Sequence, residues 1–187
     1  MNTSTTTAKL DTATFGGGCF WCTEAMFAEL KGVQSAVSGY SGGTVKNPSY
    51  KEVCAGTTGH AEVIQVVYDP SIINFAQLMQ VFFLTHDPTT LNRQGNDIGT
   101  QYRSVVFYRN EEEKRIAQET IAEVATSGVY SDRIVTTLEP FEVFYEAEDY
   151  HQDYFAHHPS QGYCQAVVAP KVAKLRQCFA AHLKTGV

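Results

Sequence analysis

The chain has 187 residues, 43% of them hydrophobic and 18% charged, with 20 acidic against 14 basic side chains and a net charge of −6. Those values sit near globular averages, which excludes a disordered or fibrous chain, and one domain of ordinary size accounts for the length. The acidic balance, with no Lys/Arg cluster longer than a pair, argues against nucleic acid as a partner.

Met1 to Thr7 is small and polar and lacks the cationic start and apolar core of an export signal. Residues 1–8 are expected to form a disordered tail before a single domain over residues 9–187. No run of about 18 apolar residues follows, so no membrane span is expected and the protein is assigned to the cytoplasm.

Thr12 to Phe15 reads as a strand broken by Gly16-Gly17-Gly18, and Cys19 to Leu30 has helical spacing of Phe20, Met26, Phe27 and Leu30. Val33 to Tyr40 is expected as a strand, and so is His60 to Tyr68, dense in β-branched residues and stopped by Asp69-Pro70. Asn74 to Leu84 is an amphipathic helix on Phe75, Leu78, Val81 and Phe82, followed by a polar loop from Asp87 to Gly99. Ser104 to Tyr108 is a strand, and Asn110 opens a helix to about Thr126 whose acidic first turn suits the helix dipole. Val135–Leu138 and Phe141–Tyr145 read as short strands, Asp149–His157 as a short helix and Ala173–Leu183 as a terminal one. The order β-α-β-β-α-β-α predicts an α/β (α+β) two-layer sandwich in one domain: a mixed β-sheet with packed helices and a ferredoxin-like core.

Five cysteines, Cys19, Cys22, Cys54, Cys164 and Cys178, are an odd count without an export signal. That argues against a disulfide framework and leaves catalysis, metal binding or simple burial. Cys19 stands where three glycines turn the chain into a helix start. Free N–H groups there stabilise a thiolate, so a lowered pKa and a nucleophilic Cys19 are expected, against the plainer reading of a buried thiol. Phe20 and the single tryptophan, Trp21, follow directly; they either wall an apolar slot for a small group or belong to the core. Glu62 lies on a strand rich in Val and Ile, where desolvation would keep it protonated unless alternation turns it to solvent.

Gly17-Gly18-Cys19-Phe20-Trp21 resembles the signature of the A-type peptide methionine sulfoxide reductases, which act on the S epimer. Further blocks resemble that family in the same order: Ser38-Gly39-Tyr40-Ser41-Gly42-Gly43, Asn47 to Cys54, Gly59-His60-Ala61-Glu62, His86-Asp87-Pro88-Thr89, Gly95 to Ser104 and Tyr150 to Tyr154. The resemblance implies that Cys19 attacks the sulfoxide sulfur and becomes a sulfenic acid, with Glu62 as proton donor. It implies that Tyr50 and Tyr102 hydrogen-bond the sulfoxide oxygen with Asp97 nearby through water, and that Phe20 and Trp21 hold the S-methyl group. No cofactor is implied, thioredoxin is the expected reductant, and a monomer is the default.

Gly162-Tyr163-Cys164 resembles the family's recycling-cysteine segment, here expected from about residue 160 as a glycine-flanked coil able to swing toward the site. The chain departs from the best-known pattern in carrying Cys22 where that pattern has glycine, and Cys178 on an expected helix. Cys164 is the favoured resolving thiol, Cys22 an alternative through its C-x-x-C spacing, and Cys178 a candidate for a second disulfide; Cys54 is expected to pack beside Tyr50. Two rival readings remain at this point. One is a thioredoxin-like dithiol oxidoreductase built on Cys19-x-x-Cys22, and the other a structural zinc module, which lacks a second C-x-x-C. His60, His86 and His151 match no ligand spacing and are read as hydrogen-bonding scaffold.

Overall fold

The computed structural model describes residues 9–186, so the expected tail lies outside the described residues. In chain order the elements are β1 (Asp11–Gly17), α1 (Phe20–Ala28), β2 (Val33–Ser41), α2 (Tyr50–Cys54), β3 (Ala61–Tyr68) and α3 (Phe75–Thr85). They continue with β4 (Arg93–Gln94), β5 (Asp97–Ile98), β6 (Ser104–Tyr108), α4 (Glu111–Thr126), β7 (Thr137–Pro140), β8 (Tyr145–Glu146), α5 (Tyr154–His157) and α6 (Ala169–Cys178). Six strands form one sheet in the order β7-β6-β1-β3-β2-β8, antiparallel except for the parallel β6–β7 pair; β4 and β5 make a separate hairpin. The central order β6-β1-β3-β2, with helices between β1 and β2 and between β3 and β6, is the split β-α-β-β-α-β arrangement expected from the sequence.

Strand alternation divides the side chains between two cores. Ile64, Val66 and Tyr68 of β3 join Phe15, Phe20, Phe27, Leu78 and Phe82 in the large core between sheet and helices. Ala61 and Val63 turn the other way and meet Val105 and Phe107, which Phe141 and Phe144 cover. Glu62 shares the face of Ile64 and Val66, which directs its carboxyl toward the helices and away from solvent. Because each of β6, β1, β3 and β2 is antiparallel to its neighbour, the end of β1, the end of β2, the start of β3 and the start of β6 all lie at one end of the sheet. The loops leaving that end carry Cys19, Tyr50, Asp97 and Tyr102.

Several elements differ from expectation, each for an identifiable reason. Tyr50–Cys54, for which no regular element is expected, is a helix with a full capping box between Ser49 and Glu52. The strand expected over residues 135–138 runs over Thr137–Pro140 instead, and Pro140 is tolerated because β7 is an edge strand. Of the strand expected over residues 141–145 only Tyr145 pairs, joined by Glu146 in β8, since Phe141 and Phe144 are taken up in covering the second core. The helix expected over residues 149–157 splits into a 3₁₀ turn at Asp149–His151 and the single turn α5, with Asp153 left-handed between them (φ 51). There the Gln152 side chain bonds the Ser38 N–H and the carbonyls of Ser38 and Ala147, which ties the chain to β2 and diverts it from a helical path.

The C-terminal segment is the largest departure. Cys164 is not on a coil: the chain is helical from Gly162 to Cys178, with a π-helical turn over Cys164–Val168 that runs into α6. Pro170 explains the widened turn, because a proline inside a helix has no N–H to give and collides with the carbonyl four residues back. The terminal helix accordingly begins at Ala169 and stops at Cys178; Leu183 leaves it to form a β-bridge with Leu30.

Candidate active site

Cys19 caps the N-terminus of α1 and is 8% exposed. Gly18, at φ +98, supplies the left-handed turn from β1 into the helix, and a Cβ there would overlap the Gln94 side chain. The first helical N–H, that of Phe20, donates to Glu62 Oε2 at 3.1 Å, which anchors the carboxyl to the turn that carries the thiol. Burial pushes Glu62 up to about 8, so it is a neutral acid at neutral pH; the Phe20 hydrogen bond opposes that shift without cancelling it. The carboxyl expected to serve as proton donor is therefore buried, protonated and fixed beside Cys19.

Expectation fails for the ionisation of Cys19. The hydrogen bond with the Cys22 thiol, burial and the Glu62 charge push Cys19 well above the usual thiol range, and the Trp21 N–H relieves this only in part. The same thiol-to-thiol hydrogen bond draws Cys22 down to about 7, with help from Lys171 and from the Tyr163 hydroxyl. The buried pair thus releases one proton readily and holds the second, with the first charge resting on Cys22. Helix-start N–H groups alone do not decide the matter, because one of them is already committed to Glu62.

Tyr50 and Tyr102 stand on α2 and on the 3₁₀ turn Thr100–Tyr102, both half-buried. Burial and then the Glu62 charge push both phenols upward, so they remain neutral hydrogen-bond donors gathered about the same carboxyl. Phe20 is buried against Tyr40, Tyr50 and His151. Trp21 lies flat on Tyr154, with ring centroids 3.7 Å apart and planes 5° off parallel; Tyr163 meets it edge-on, and its Nε1–H donates to His151 Nδ1 at 3.1 Å. Asp97 accepts a 2.6 Å hydrogen bond from the Tyr163 hydroxyl, a partner the sequence reading had not given it. Behind this bond lies a cavity of about 190 Å³ lined by Gln94, Asp97, Tyr163 and Lys171.

The remaining thiols differ in access. All five cysteines are free. Cys164 is fully buried in the π-turn, where burial and then the charge of Cys22 raise its pKa, so it adjoins the Cys19–Cys22 pair from the Cys22 side. Cys178 is exposed at the far end of the same helical run, roughly 20 Å from Cys164 at 1.5 Å per residue. Cys54, at the end of α2, is exposed and hydrogen-bonds Tyr50, as expected.

His60 and His86 hold loops: His60 accepts from the Gly43 N–H, and His86, buried and pulled down to about 4, joins the Phe82 carbonyl to the Ser104 hydroxyl. His151 does more, since it holds the indole. Residues that sequence reasoning did not single out are Glu148, Tyr154, Tyr163 and Lys171. Tyr154 and Tyr163 lay inside motifs already marked, whereas Glu148 and Lys171 carried no local signal. Among the described residues, no group of three or more His, Cys, Asp or Glu side chains is placed to hold a metal ion.

A family model described as peptide methionine sulfoxide reductase matches residues 11–183. "Peptide methionine sulfoxide reductase MsrA" of Polynucleobacter asymbioticus is 54% identical over 170 residues, 91% of this chain and 90% of that one. The protein of the same name from Saccharolobus solfataricus is 54% identical over 94% of this chain and 98% of its own length. Among solved structures, Mxr1 from Saccharomyces cerevisiae in reduced form superposes with a TM-score of 0.77 at 37% identity, covering 84% of this chain and 90% of that one. Methionine sulfoxide reductase A of Corynebacterium diphtheriae gives 0.73 at 36% identity, covering 86% and 80%.

Proposed function

Because the chain belongs to the peptide methionine sulfoxide reductase family, we propose that it reduces the S-sulfoxide of methionine, free or in proteins, at Cys19 and is recycled by thioredoxin. The observation that carries the reading is the pairing of the Cys19 thiol with a protonated Glu62 held 3.1 Å from the next backbone N–H. Attack on a sulfoxide sulfur leaves charge on its oxygen, and a neutral carboxyl supplies the proton that this charge needs. Tyr50 and Tyr102 donate to the same oxygen; Phe20 and Trp21 receive the S-methyl group; Asp97 acts on the pocket through Tyr163.

The step balances as a two-electron transfer. As the Cys19 sulfur bonds the sulfoxide sulfur, its proton passes to the Cys22 thiolate hydrogen-bonded to it, and the oxygen takes a proton from Glu62, which is left as a carboxylate; the bond between the two sulfurs then breaks as the hydroxyl passes to Cys19, giving its sulfenic acid and free methionine. A second thiol then displaces water to give a disulfide, which thioredoxin's dithiol reduces by exchange, returning both cysteines to thiols. Cys22 forms the first disulfide, because it is the thiol already hydrogen-bonded to Cys19 and the one drawn down to about 7, a favourable pKa for attack near neutral pH. Cys164 accepts the disulfide from Cys22 next. Cys178 takes no part, since the helix holds it too far away.

This order inverts the preference that sequence alone supports, and mass spectrometry tests it. Reduced protein given one equivalent of methionine S-sulfoxide peptide without reductant is expected to show Cys19–Cys22 first and Cys22–Cys164 later. Cys22→Ser is expected to divert the link to Cys19–Cys164 and to slow its formation about tenfold or more, because Cys164 must leave its helical turn. An initial Cys19–Cys164 link in the unaltered protein rejects this order; a protein that releases no methionine at all rejects the whole proposal. No helix among the described residues is long and apolar enough to cross a membrane. The free thiols suit a reducing compartment, so the cytoplasm is the proposed location, with residues 9–187 as one catalytic domain and the stretch from about 160 as its recycling segment.

A further inference from the structure

Glu148 ends the segment after β8 and lies one turn before His151. Its Oε1 accepts the backbone N–H of Tyr50 at 2.9 Å, the first residue of α2, while Oε2 accepts the Tyr40 hydroxyl at 3.1 Å. On the other side, the Trp21 indole N–H can only donate, so His151 Nδ1, which meets it, must be an acceptor. Burial pulls the pKa of His151 down, so the ring is neutral and its one proton lies on Nε2. That Nε2 is buried, has no hydrogen-bond partner, and stands 3.4 Å from Glu148 Oε2. An unsatisfied buried N–H is costly, and here the nearest acceptor is a carboxylate that needs to close only a few tenths of an ångström.

We propose that Glu148 is a positioning residue that couples the two halves of the site. Its carboxylate links α2, which carries the oxygen-binding phenol of Tyr50, to the His151–Trp21 pair that faces the methyl group, so both halves move as one when substrate seats. The inference rests on the roles given above to Tyr50 and Trp21. Among the described residues no other carboxylate bonds the α2 N-terminus from outside that helix, and Glu52 serves its own capping box.

Trp21 is the sole tryptophan, so its emission reports the surroundings of the indole bonded to His151 with no second indole to obscure them. Glu148→Gln keeps an oxygen for the Tyr50 N–H but sets an amide N–H against His151 Nε2–H. It is expected to shift Trp21 emission and to raise KM for a methionine S-sulfoxide peptide about fivefold with kcat within about twofold. Glu148→Ala removes both links; single-turnover methionine release is expected to fall about tenfold in the native background and less than about twofold in a Tyr50→Phe background. Equal losses in the two backgrounds, or unchanged emission and KM in the isosteric Gln variant, overturn the proposal. If Glu148→Ala does not fold, the Gln variant decides alone. Release of methionine by the unaltered protein is the separate check on the activity itself.

Discussion

A Cys19→Ser protein is expected to release no methionine from an S-sulfoxide peptide, a loss of at least about ten-thousandfold. The reason is electronic before it is geometric. Oxygen transfer requires the attacking atom to give up two electrons and end bonded to the sulfoxide oxygen, and sulfur reaches that state as a stable sulfenic acid. A serine oxygen would have to form an oxygen–oxygen bond, and it begins from a hydroxyl far less acidic than a thiol. The fold should survive, because the Cys19 side chain makes no capping hydrogen bond and serine has nearly the same size. Cys164→Ser and Cys178→Ser provide the contrast: each should still release at least one methionine per chain without reductant, since the resolving step follows release. Quantifying methionine after a single mixing of reduced protein with substrate separates these outcomes. Measurable release by the serine variant would remove Cys19 from the centre of the chemistry.

Much of this architecture is legible in local pattern. The β-branched run over residues 60–68 and the helical spacing after Cys19 are satisfied by short-range packing, and both elements fall within a residue or two of expectation. The Cys19 and Glu62 pairing was accessible only through motif resemblance, because nothing in the strand itself says which of its two faces meets the helices. Three features were not accessible. The helical state of Cys164 depends on how a π-turn absorbs Pro170, whereas the sequence pattern places the terminal helix only from Ala173. The break at Asp153 is made by Gln152 reaching Ser38, a partner 114 positions away. The reversed ionisation of Cys19 and Cys22 follows from burial combined with a mutual hydrogen bond, whereas sequence reveals only the helix start. Local signals therefore single out Cys19 as the candidate, and tertiary contacts decide its charge and the access of its partners.

Glu62→Gln should separate activity from stability in opposite directions. Gln keeps an oxygen for the Phe20 N–H but holds no transferable proton, so reduction is expected to slow about a thousandfold, within the range for losing a general acid. The pH profile should change with it. In the unaltered protein the rate is expected to rise as the thiol pair loses its first proton near pH 7 and to fall as Glu62 ionises near pH 8; in Glu62→Gln the alkaline fall should disappear from the residual activity. Stability follows from the same shift. A carboxyl raised from 4.5 to about 8 on folding contributes fully below the unfolded value, and that contribution is lost as pH rises through the folded one, because the unfolded chain can release the proton and the folded chain cannot. Glu24, buried and pushed up to about 7, adds a loss of the same sign over a lower window. The unaltered protein should therefore melt at a lower temperature at pH 8.5 than at pH 5. Glu62→Gln should recover part of the difference, raising the melting temperature at pH 8.5 by about 5 °C while changing little at pH 5. A variant equally destabilised at both pH values would mean that Glu62 is ionised and paired in the folded protein, which is incompatible with its giving up a proton during the reaction.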